Sequence, residues 1–375
     1  MAFDIKKILT KQQRQSVLNA ILTPFSWVYG AVVWTRNWLF DRGILKSETF
    51  DVPVVSVGNI TVGGTGKTPH VEYIIAALCR QYRIAVLSRG YKRVTHGFIL
   101  ATDSLSPKDI GDEPYQIFRK YNGLIQLAVC ESRRKGIREL LKIDPSINLI
   151  LLDDAFQHRW VKPKVNIVLV DYTRPPFNDR LLPLGQLREP TQRLLQSDIV
   201  VVSKCPSDIA PVDIRTLTEN LGLFPYQGLF FSNIRYADPV PVFPVPDPEL
   251  STLRWLQTSD TVLCVTGIAN AKPLVRYLRT FPATVKVMHY DDHHYFTRAD
   301  FADIFRVFEQ LPGQRKFIIT TEKDMVRILN NPYYPPTMRN IIYYIPIRIG
   351  MLQHEGPDFI THLTRLIEAS EAEIN

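Results

Sequence analysis

The stretch "SVGNITVGGTGKTPHVEY" (residues 56–73) has the composition of a loop that binds phosphate. A strand-like run precedes the glycines, Gly66, Lys67 and Thr68 end the loop, and a helical pattern follows them. In such a P-loop the backbone amides and the helix N-terminus cradle phosphate groups. The lysine reaches the β- and γ-oxygens, and the threonine hydroxyl ligates Mg²⁺. The stretch therefore predicts a site for a nucleotide and Mg²⁺.

The loop departs from the strict P-loop pattern at one position. That pattern has a glycine at position 61, where this chain has Thr61, so Gly63 and Gly64 must supply the backbone freedom. The predicted nucleotide contacts within the loop are Thr61, Val62, Gly63, Gly64, Thr65, Gly66, Lys67 and Thr68.

A P-loop also needs an acidic partner for its metal ion at the end of a nearby strand. The stretch "INLILLDDAFQHR" (residues 147–159) supplies Asp153 and Asp154 directly after an apolar run. One carboxylate can meet Mg²⁺ directly or through water, with Gln157 or His158 close by. The alternative is that the two acids merely end a strand in solvent.

Two further motifs suit the chemistry of a phosphate acceptor. "GDEPYQI" (residues 111–117) sets Asp112 and Glu113 before a helix, where they can act on a hydroxyl, support a metal ion or cap the helix. "HYDDHHYF" (residues 289–296) places His293 or His294 where an imidazole can partner an acid. A zinc site is disfavoured there, because neighbouring side chains of an extended chain point in opposite directions.

Basic residues outside the loop are candidates for holding phosphate. "ESRRKGI" (residues 131–137) contains Arg133, Arg134 and Lys135, and "LPLGQLREP" (residues 182–190) contains Arg188. They can bind nucleotide phosphates or an anionic substrate, or they can form a solvated face.

The pattern of strands and helices predicts an α/β protein with a doubly wound parallel sheet, because its strand-like runs are continuously apolar. A chain of 375 residues also exceeds what one core usually supports. Five prolines within Pro239–Pro248 indicate an extended connector or edge segment. We therefore predict an N-terminal segment (1–47), a P-loop domain (48–225), and the connector with a second, smaller α/β lobe (226–375).

The N-terminal segment concentrates the basic charge of the chain. Residues 1–47 hold seven basic and two acidic side chains, so they contribute +5 to the net charge of +8. Twenty-one uncharged residues lie between Arg14 and Arg36, and Trp27 and Trp34 are among them. This composition favours an interfacial helix on an anionic membrane over a spanning helix, a signal peptide or a helix packed on the protein's own core. The four cysteines are scattered, which indicates a reducing compartment.

The motifs disfavour two classes of P-loop protein. Guanine-specific proteins usually have an N/T-K-x-D strand end, and neither "SKCP" nor "EKD" in this chain fits it. Deviant-Walker ATPases have a lysine before the two glycines, where this chain has Val62. A membrane-associated NTPase that uses hydrolysis to move or load a partner, and a nucleotide-binding regulator without turnover, remain as alternatives.

The order of the motifs "VGNITVGGTGKTP", "SRGYKR", "GDEP", "DDAFQHR", "LLPLGQLREP", "DHHYF" and "TTEKD" resembles the tetraacyldisaccharide 4'-kinase family. This resemblance implies an ATP-dependent kinase that phosphorylates the 4'-hydroxyl of an anionic glycolipid, the disaccharide 1-phosphate precursor of lipid A. It also implies a peripheral protein on the cytoplasmic face of the bacterial inner membrane, with a membrane-facing N-terminal helix and no nucleic-acid partner.

The resemblance also implies roles for individual residues. Asp112 matches the catalytic carboxylate, and His293, with His294 as the alternative, matches its histidine partner. Lys67 matches the phosphate ligand of the loop, and Arg133 and Arg188 match charge-handling arginines, with Arg134 as the alternative to the first. The matched Mg²⁺ set consists of Thr68, Glu113, Asp153, Asp154 and Gln157.

Overall fold

The computed structural model describes residues 11–244, 256–313, 315–352 and 355–369. The first ten residues, which carry part of the predicted N-terminal charge, lie outside this range. Residues 245–250 of the predicted proline-rich connector lie outside it as well.

Fourteen strands are found in the described part of the chain. They are β1 (Val54–Asn59), β2 (Ile84–Ser88), β3 (Ile99–Leu100), β4 (Gln126–Val129), β5 (Leu149–Asp153), β6 (Val165–Asp171), β7 (Ile199–Ser203), β8 (Gly228–Tyr236), β9 (Val240–Pro241), β10 (Thr261–Thr266), β11 (Thr284–His289), β12 (Lys316–Thr321), β13 (Ile342–Ile345) and β14 (Ile347–Met351).

Ten α-helices are found in the same residues. They are α1 (Lys11–Asp41), α2 (Lys67–Leu78), α3 (Pro107–Ile110), α4 (Asp112–Tyr121), α5 (Arg133–Ile143), α6 (Pro211–Leu221), α7 (Lys272–Leu278), α8 (Arg298–Glu309), α9 (Glu322–Leu329) and α10 (Glu355–Glu368).

The chain divides into two compact units, and each is assembled from separate stretches of sequence. The first unit comprises Met1–Lys67, Ile147–Asn233 and Met351–Asn375, and the second comprises Thr68–Ser146 and Ile234–Gly350.

The first unit is built on parallel strands in the order β8-β7-β6-β1-β5. Every residue of β1, β5 and β7 is buried, as expected for strands covered on both faces. Because β1 and β5 are parallel neighbours, with Val57 opposite Asp153, the loop after β1 and the acids after β5 lie at the same edge of the sheet. Ligands of open parallel sheets bind at this carboxyl edge.

Helix α1 packs on the first unit through a narrow stripe. Ser26, Val33, Asn37 and Phe40 are buried, and their spacing places them on one side of the helix. The side chains of many apolar residues on the rest of the helix are exposed; they are Leu18, Ile21, Phe25, Trp27, Val28, Val32, Trp34 and Trp38. No helix in the described residues is long and apolar enough to cross a membrane.

The second unit contains two groups of strands. In one, β2 and β4 are parallel and β3 adds antiparallel to β4. The other is a five-stranded sheet in the order β11-β10-β12-β13-β9. Its first four strands are parallel, and β9, from the start of the proline-rich segment, adds antiparallel at the edge. The predicted α/β class with mainly parallel sheets is therefore confirmed.

Candidate active site

The loop after β1 has the backbone conformation that its glycines permit. Gly63 and Gly66 have φ angles of 98° and 85°, a region that residues with a Cβ rarely occupy. Thr65 is fully buried between them, and its hydroxyl accepts a hydrogen bond of 2.9 Å from the Asn59 amide at the end of β1. The Ser203 hydroxyl at the end of β7 donates to the Thr65 carbonyl at 2.8 Å. Buried polar contacts thus fix the loop to two strand ends.

Thr61 replaces the glycine of the strict pattern without strain. It is not among the residues with positive φ, and it forms an antiparallel bridge with Leu187. The amide of Val62 donates to the carbonyl of Gln186 at 2.8 Å, and the Arg174 guanidinium donates to the carbonyl of Val62 at 2.9 Å. Since this part of the loop is paired as extended backbone, a β-branched residue suits position 61.

Asp154 lies beside two of the predicted phosphate-binding cations. Its Oδ1 is 2.9 Å from Nη2 of Arg188 and 3.5 Å from Nζ of Lys67. Arg188 also donates to the side-chain oxygen of Asn59. The first unit therefore brings Lys67, Asp154 and Arg188 together at the edge of the sheet.

The remaining residues of the predicted acidic set occupy the same edge. Asp153 is the last residue of β5 and is buried, whereas the Asp154 side chain is 39% exposed. The Gln157 amide donates to the Asn59 carbonyl at 2.6 Å. No cluster of three or more metal-ligating side chains is present among the described residues. Mg²⁺ does not require such a cluster, because it commonly uses one or two carboxylates together with substrate phosphates.

The segment that contains Arg188 and Glu189 connects this loop to α1. Arg188 faces Asn59 and Asp154, whereas the next residue, Glu189, is fully buried and contacts α1. Glu189 accepts hydrogen bonds from Arg36 and from the Asn37 amide, the latter at 2.9 Å. The hydroxyl of Tyr29 in α1 also donates to the carbonyl of Arg188 at 3.0 Å.

The second unit holds the predicted acceptor residues, and Asp112 is at their centre. Its Oδ2 accepts hydrogen bonds from Nε and Nη2 of Arg327 at 3.0 and 2.7 Å. The same oxygen lies 3.1 Å from Nδ1 of His293. Among the described residues, Oδ1 of Asp112 has no hydrogen-bond partner, so it is available to a ligand.

These partners keep Asp112 ionised. Burial alone would raise the pKa of this carboxyl, but hydrogen bonds from His293 and Arg327 and the charge of Arg327 outweigh it and lower the pKa to about 2. Asp112 is therefore a carboxylate throughout the neutral range, ready to accept a hydrogen bond. Such a low pKa also makes it a weak base, so positioning and charge stabilisation must supply most of the rate enhancement.

The contacts of His293 favour one tautomer of its ring. Its Nε2 lies 2.9 Å from Nζ of Lys323, and an ammonium group can only donate. Nε2 therefore accepts from Lys323, which leaves the ring proton on Nδ1, where it can be donated to Asp112. Nη2 of Arg327 is also 3.1 Å from Nδ1, and in this tautomer it donates to Asp112 instead. Lys323 also forms an ion pair with Glu113 at 3.1 Å, so this predicted metal ligand is held by a cation.

Helices α4 and α9 are joined by ion pairs at both ends. Arg327, near the end of α9, holds Asp112 at the start of α4. Lys120, at the other end of α4, lies 3.1 Å from Glu322 at the start of α9 and 2.5 Å from Glu72 of α2. Burial would lower the pKa of Lys120, but the two carboxylates raise it above its ordinary value. These pairs fix the register of the two helices and therefore the position of Asp112.

The structure separates the residue pairs that the sequence left open. His293 contacts Asp112, whereas His294 contacts Asp300 of α8 at 2.9 Å. Arg133 is buried at the start of α5 and donates to the carbonyl of Cys130 at 2.9 Å, whereas Arg134 is half-buried.

Left-handed backbone conformations mark several of these positions. In the described residues, the four non-glycine residues with positive φ are Lys92, Asp154, Lys204 and His293. Two of them are predicted site residues, in agreement with the tendency of strained backbone to occur at functional sites.

Sequence reasoning did not single out Arg327, Lys323, Asn59 or Arg174 as functional. Lys323 was within reach, because it belongs to the "TTEKD" motif. Arg327 lies three residues after Asp324 on α9, so the two share a helix face, and its Nη1 is 3.0 Å from Oδ1 of Asp324. That spacing was the available signal, but the contact with Asp112 depends on the tertiary fold.

Comparison with known proteins agrees with this geometry. Residues 18–368 match the sequence profile of the Tetraacyldisaccharide-1-P 4'-kinase family. The chain belongs to this family. It is 47% identical over 348 residues to the tetraacyldisaccharide 4'-kinase of Bacteroides thetaiotaomicron, with 91% of each chain covered. It is 39% identical to that of Flavobacterium johnsoniae over 91% of this chain and 95% of the relative. The resemblance read from the motifs is therefore confirmed.

A solved structure of the family is also similar. It is the LpxK protein of Aquifex aeolicus in complex with ATP, which aligns with a TM-score of 0.70 and 26% identity over 93% of this chain and 99% of that one. The fold of this chain is therefore that of a tetraacyldisaccharide 4'-kinase.

Proposed function

We propose that this protein transfers the γ-phosphate of ATP to the 4'-hydroxyl of a tetraacyldisaccharide 1-phosphate, a precursor of lipid A. The observation that carries the proposal is the Asp112 carboxylate, whose Oδ2 is fixed by Arg327 and His293 while Oδ1 is available to a hydroxyl. Membership of the 4'-kinase family and similarity to a relative solved with ATP support the assignment of both substrates.

The phosphate loop binds and positions ATP in this proposal. The amides of the loop and the N-terminus of α2 hold the phosphates, and Lys67 and Arg188 neutralise the charge that develops on the γ-phosphate. Both cations lie within 3.5 Å of Asp154, so they are already in place at the edge of the sheet. Loop, strand ends and cations together supply positioning, which dominates catalysis of phosphoryl transfer.

The residues present fit a magnesium ion, which prefers carboxylate and hydroxyl oxygens. Thr68, Asp153 and Asp154 would hold it, because they end the loop and the neighbouring strand. Mg²⁺ bound there would neutralise charge on the ATP phosphates.

Asp112 accepts the hydrogen bond, and then the proton, of the attacking sugar hydroxyl. Arg327 and His293 keep it ionised and fix its orientation, and Lys323 fixes the tautomer of His293. Proton transfer of this kind contributes roughly 10²–10⁴-fold to the rate, and positioning and charge stabilisation must supply the rest.

A direct test follows the γ-phosphate. The full chain is incubated with ATP labelled in its γ-phosphate, Mg²⁺ and a tetraacyldisaccharide 1-phosphate in neutral detergent. We expect the label in the chloroform-soluble glycolipid. Label released only as free phosphate would instead favour an NTPase that works on a protein partner, and no consumption of ATP would favour a regulator without turnover.

We also propose that α1 binds the cytoplasmic face of the inner membrane. The exposed side of this helix carries large apolar side chains, including Trp27 and Trp34, which are 73% and 63% exposed. Arg42 lies over the ring of Trp38 at 5.7 Å, so cationic and aromatic groups occur together. Tryptophan beside basic residues is typical of segments at an anionic lipid surface.

The membrane contact can be tested on vesicles that contain anionic phospholipid. Replacing Trp27 and Trp34 together by serine should weaken vesicle binding by about tenfold or more, because both side chains lose the apolar area that would enter the interface. Tyr226→Ser is a matched control, because this aromatic residue is 70% exposed but lies outside α1. Equal binding by the wild type and the double variant would contradict the proposal.

A further inference from the structure

A cleft of about 350 Å³ opens beside Asp112 in the second unit. Besides Asp112 and Arg327, it is lined by Lys92, Lys108 and the ring of Tyr295. Its size suits a sugar of one or two rings rather than a whole lipid. Its wall combines the cationic side chains of Lys92, Lys108 and Arg327 with apolar surface. Proton transfer at Asp112 does not itself require Lys92, Lys108 or Tyr295, so these residues are available for another role.

Lys92 and Lys108 reach the cleft from two adjacent segments of backbone. The amide of Val94 donates to the carbonyl of Lys108 at 2.9 Å, which holds the two segments side by side. The ammonium of Lys108 lies 4.3 Å from the centre of the Tyr295 ring, and that of Lys92 lies 5.8 Å from the Tyr91 ring. Contact with an aromatic face orients a lysine without neutralising its charge.

The two lysines differ from the other cations near Asp112 because neither forms an ion pair with a carboxylate in the described residues. Arg327, Lys323 and Lys120 each form ion pairs. Within the part of the chain that the structure describes, neither Lys92 nor Lys108 has an acidic partner. Two unneutralised ammonium groups at one cleft attract a dianion such as a phosphate monoester.

The backbone supports the same interpretation. Lys92 has a φ of 60°, in the left-handed region that a residue with a Cβ adopts at a cost. Gly90 and Gly111, which flank the two segments, have φ angles of 72° and 95°. A Cβ on Gly111 would lie 3.0 Å from the carbonyl oxygen of Tyr91, so the two segments approach too closely for another residue there.

We propose that this cleft binds the 1-phosphate end of the acceptor disaccharide, with Lys92 and Lys108 as the ligands of its phosphate. This inference rests on the proposed function and deepens it. The two lysines would select a disaccharide that already carries its 1-phosphate over one that lacks it. The reaction that adds the first phosphate, or joins a sugar phosphate to the second sugar, must then precede this one.

The test compares two acceptors in neutral detergent micelles, the tetraacyldisaccharide with and without its 1-phosphate. The preference is the ratio of the two kcat/KM values. In Lys92→Met/Lys108→Met, which keeps the unbranched stems, this preference should fall about tenfold or more, because a hydrogen bond to a charged group is lost at each position. Lys286→Met is the matched control, since it removes one exposed lysine of the same unit outside the cleft.

Two results would overturn the proposal. One is an unchanged preference in the double variant, and the other is a rise in KM for ATP instead, which would assign the lysines to the nucleotide. A binding titration with the deacylated disaccharide 1-phosphate separates this inference from the proposed function. One outcome is that the wild type binds this compound but transfers no phosphate, and that the double variant binds it about tenfold more weakly. That outcome would retain the subsite and overturn the kinase assignment.

Discussion

The two candidate regions of this protein are held together in different ways. At the phosphate loop, the groups come from one short stretch and from the ends of neighbouring parallel strands, and backbone conformation fixes most of them. At Asp112, side chains from three distant parts of the sequence fix one another through ion pairs. The Arg327 side chain is only 3% exposed, whereas that of Asp154 is 39% exposed. The first region is therefore a local motif, and the second exists only after folding.

This difference predicts that variants of the two regions affect different kinetic parameters. Lys67→Met should have the largest effect, a fall of roughly 10³-fold in kcat/KM for ATP, because it removes a cation from the bound phosphates and from the developing charge. Steady-state kinetics with varied ATP measures it. Lys162→Met, at an exposed position of the same unit, should leave this parameter near the wild-type value.

Asp112→Asn should lower kcat by roughly 10²–10³-fold and leave KM for ATP unchanged, because it removes the acceptor of the hydroxyl proton. Varying each substrate in turn separates the two constants. Asp303→Asn, an exposed acid on α8, is the control. A normal kcat would show that Asp112 only stabilises the first turn of α4. A raised KM for ATP would show that the two regions do not affect different kinetic parameters.

Arg327→Gln should change the pH dependence of stability. Since the pKa of Asp112 is lowered from 3.8 to about 2, its stabilising contribution is present above pH 3.8 and is lost as the pH falls towards 2. Loss of the arginine should return this pKa towards its ordinary value and remove up to about 2 kcal/mol of that contribution. Buried Asp324 also loses a partner, so stability at neutral pH should fall as well.

Urea unfolding of the wild type and Arg327→Gln between pH 7 and pH 3 gives the difference directly. Arg306→Gln breaks an exposed ion pair on α8 and should change the free energy of unfolding by less than about 1 kcal/mol. If the curves of the wild type and Arg327→Gln stay parallel down to pH 3 and the variant is fully stable at pH 7, Arg327 does not support Asp112.

Thr61→Gly should have the smallest effect. It restores the glycine of the strict pattern, but Thr61 is already extended and bridged to Leu187, so ATP affinity should stay within about twofold. The added freedom of the unfolded chain should cost roughly 1 kcal/mol of stability. Thermal unfolding and ATP titration measure the two quantities. A clear gain in ATP affinity would show that threonine constrains the loop.

The contrast between a local motif and a site formed only on folding explains which features could be predicted from the sequence. The α/β class followed from apolar runs, because strands buried on both faces need them. The apolar run "NIIYYIPIRI" (residues 340–349) nevertheless contains parts of two strands, β13 and β14, since Pro346 between them cannot donate to a ladder. Lys67 and Asp153-Asp154 could be found because spacing and strand ends are local properties. The contacts of Arg327 with Asp112, and the assembly of each unit from separate stretches, have no local signal.

The peptide bond between Arg188 and Glu189 links the nucleotide site to α1, which matters when this protein is shortened or redesigned. Arg188 faces Asp154 and Asn59 at the phosphate loop, and Glu189 contacts α1. Removing α1 to obtain a better-behaved enzyme would leave the Glu189 carboxylate buried without Arg36 and Asn37, and would disturb the backbone that carries Arg188. The N-terminal helix α1 thus stabilises the segment that positions Arg188 at the nucleotide site. Positions 36, 37 and 189 should accept substitutions only together.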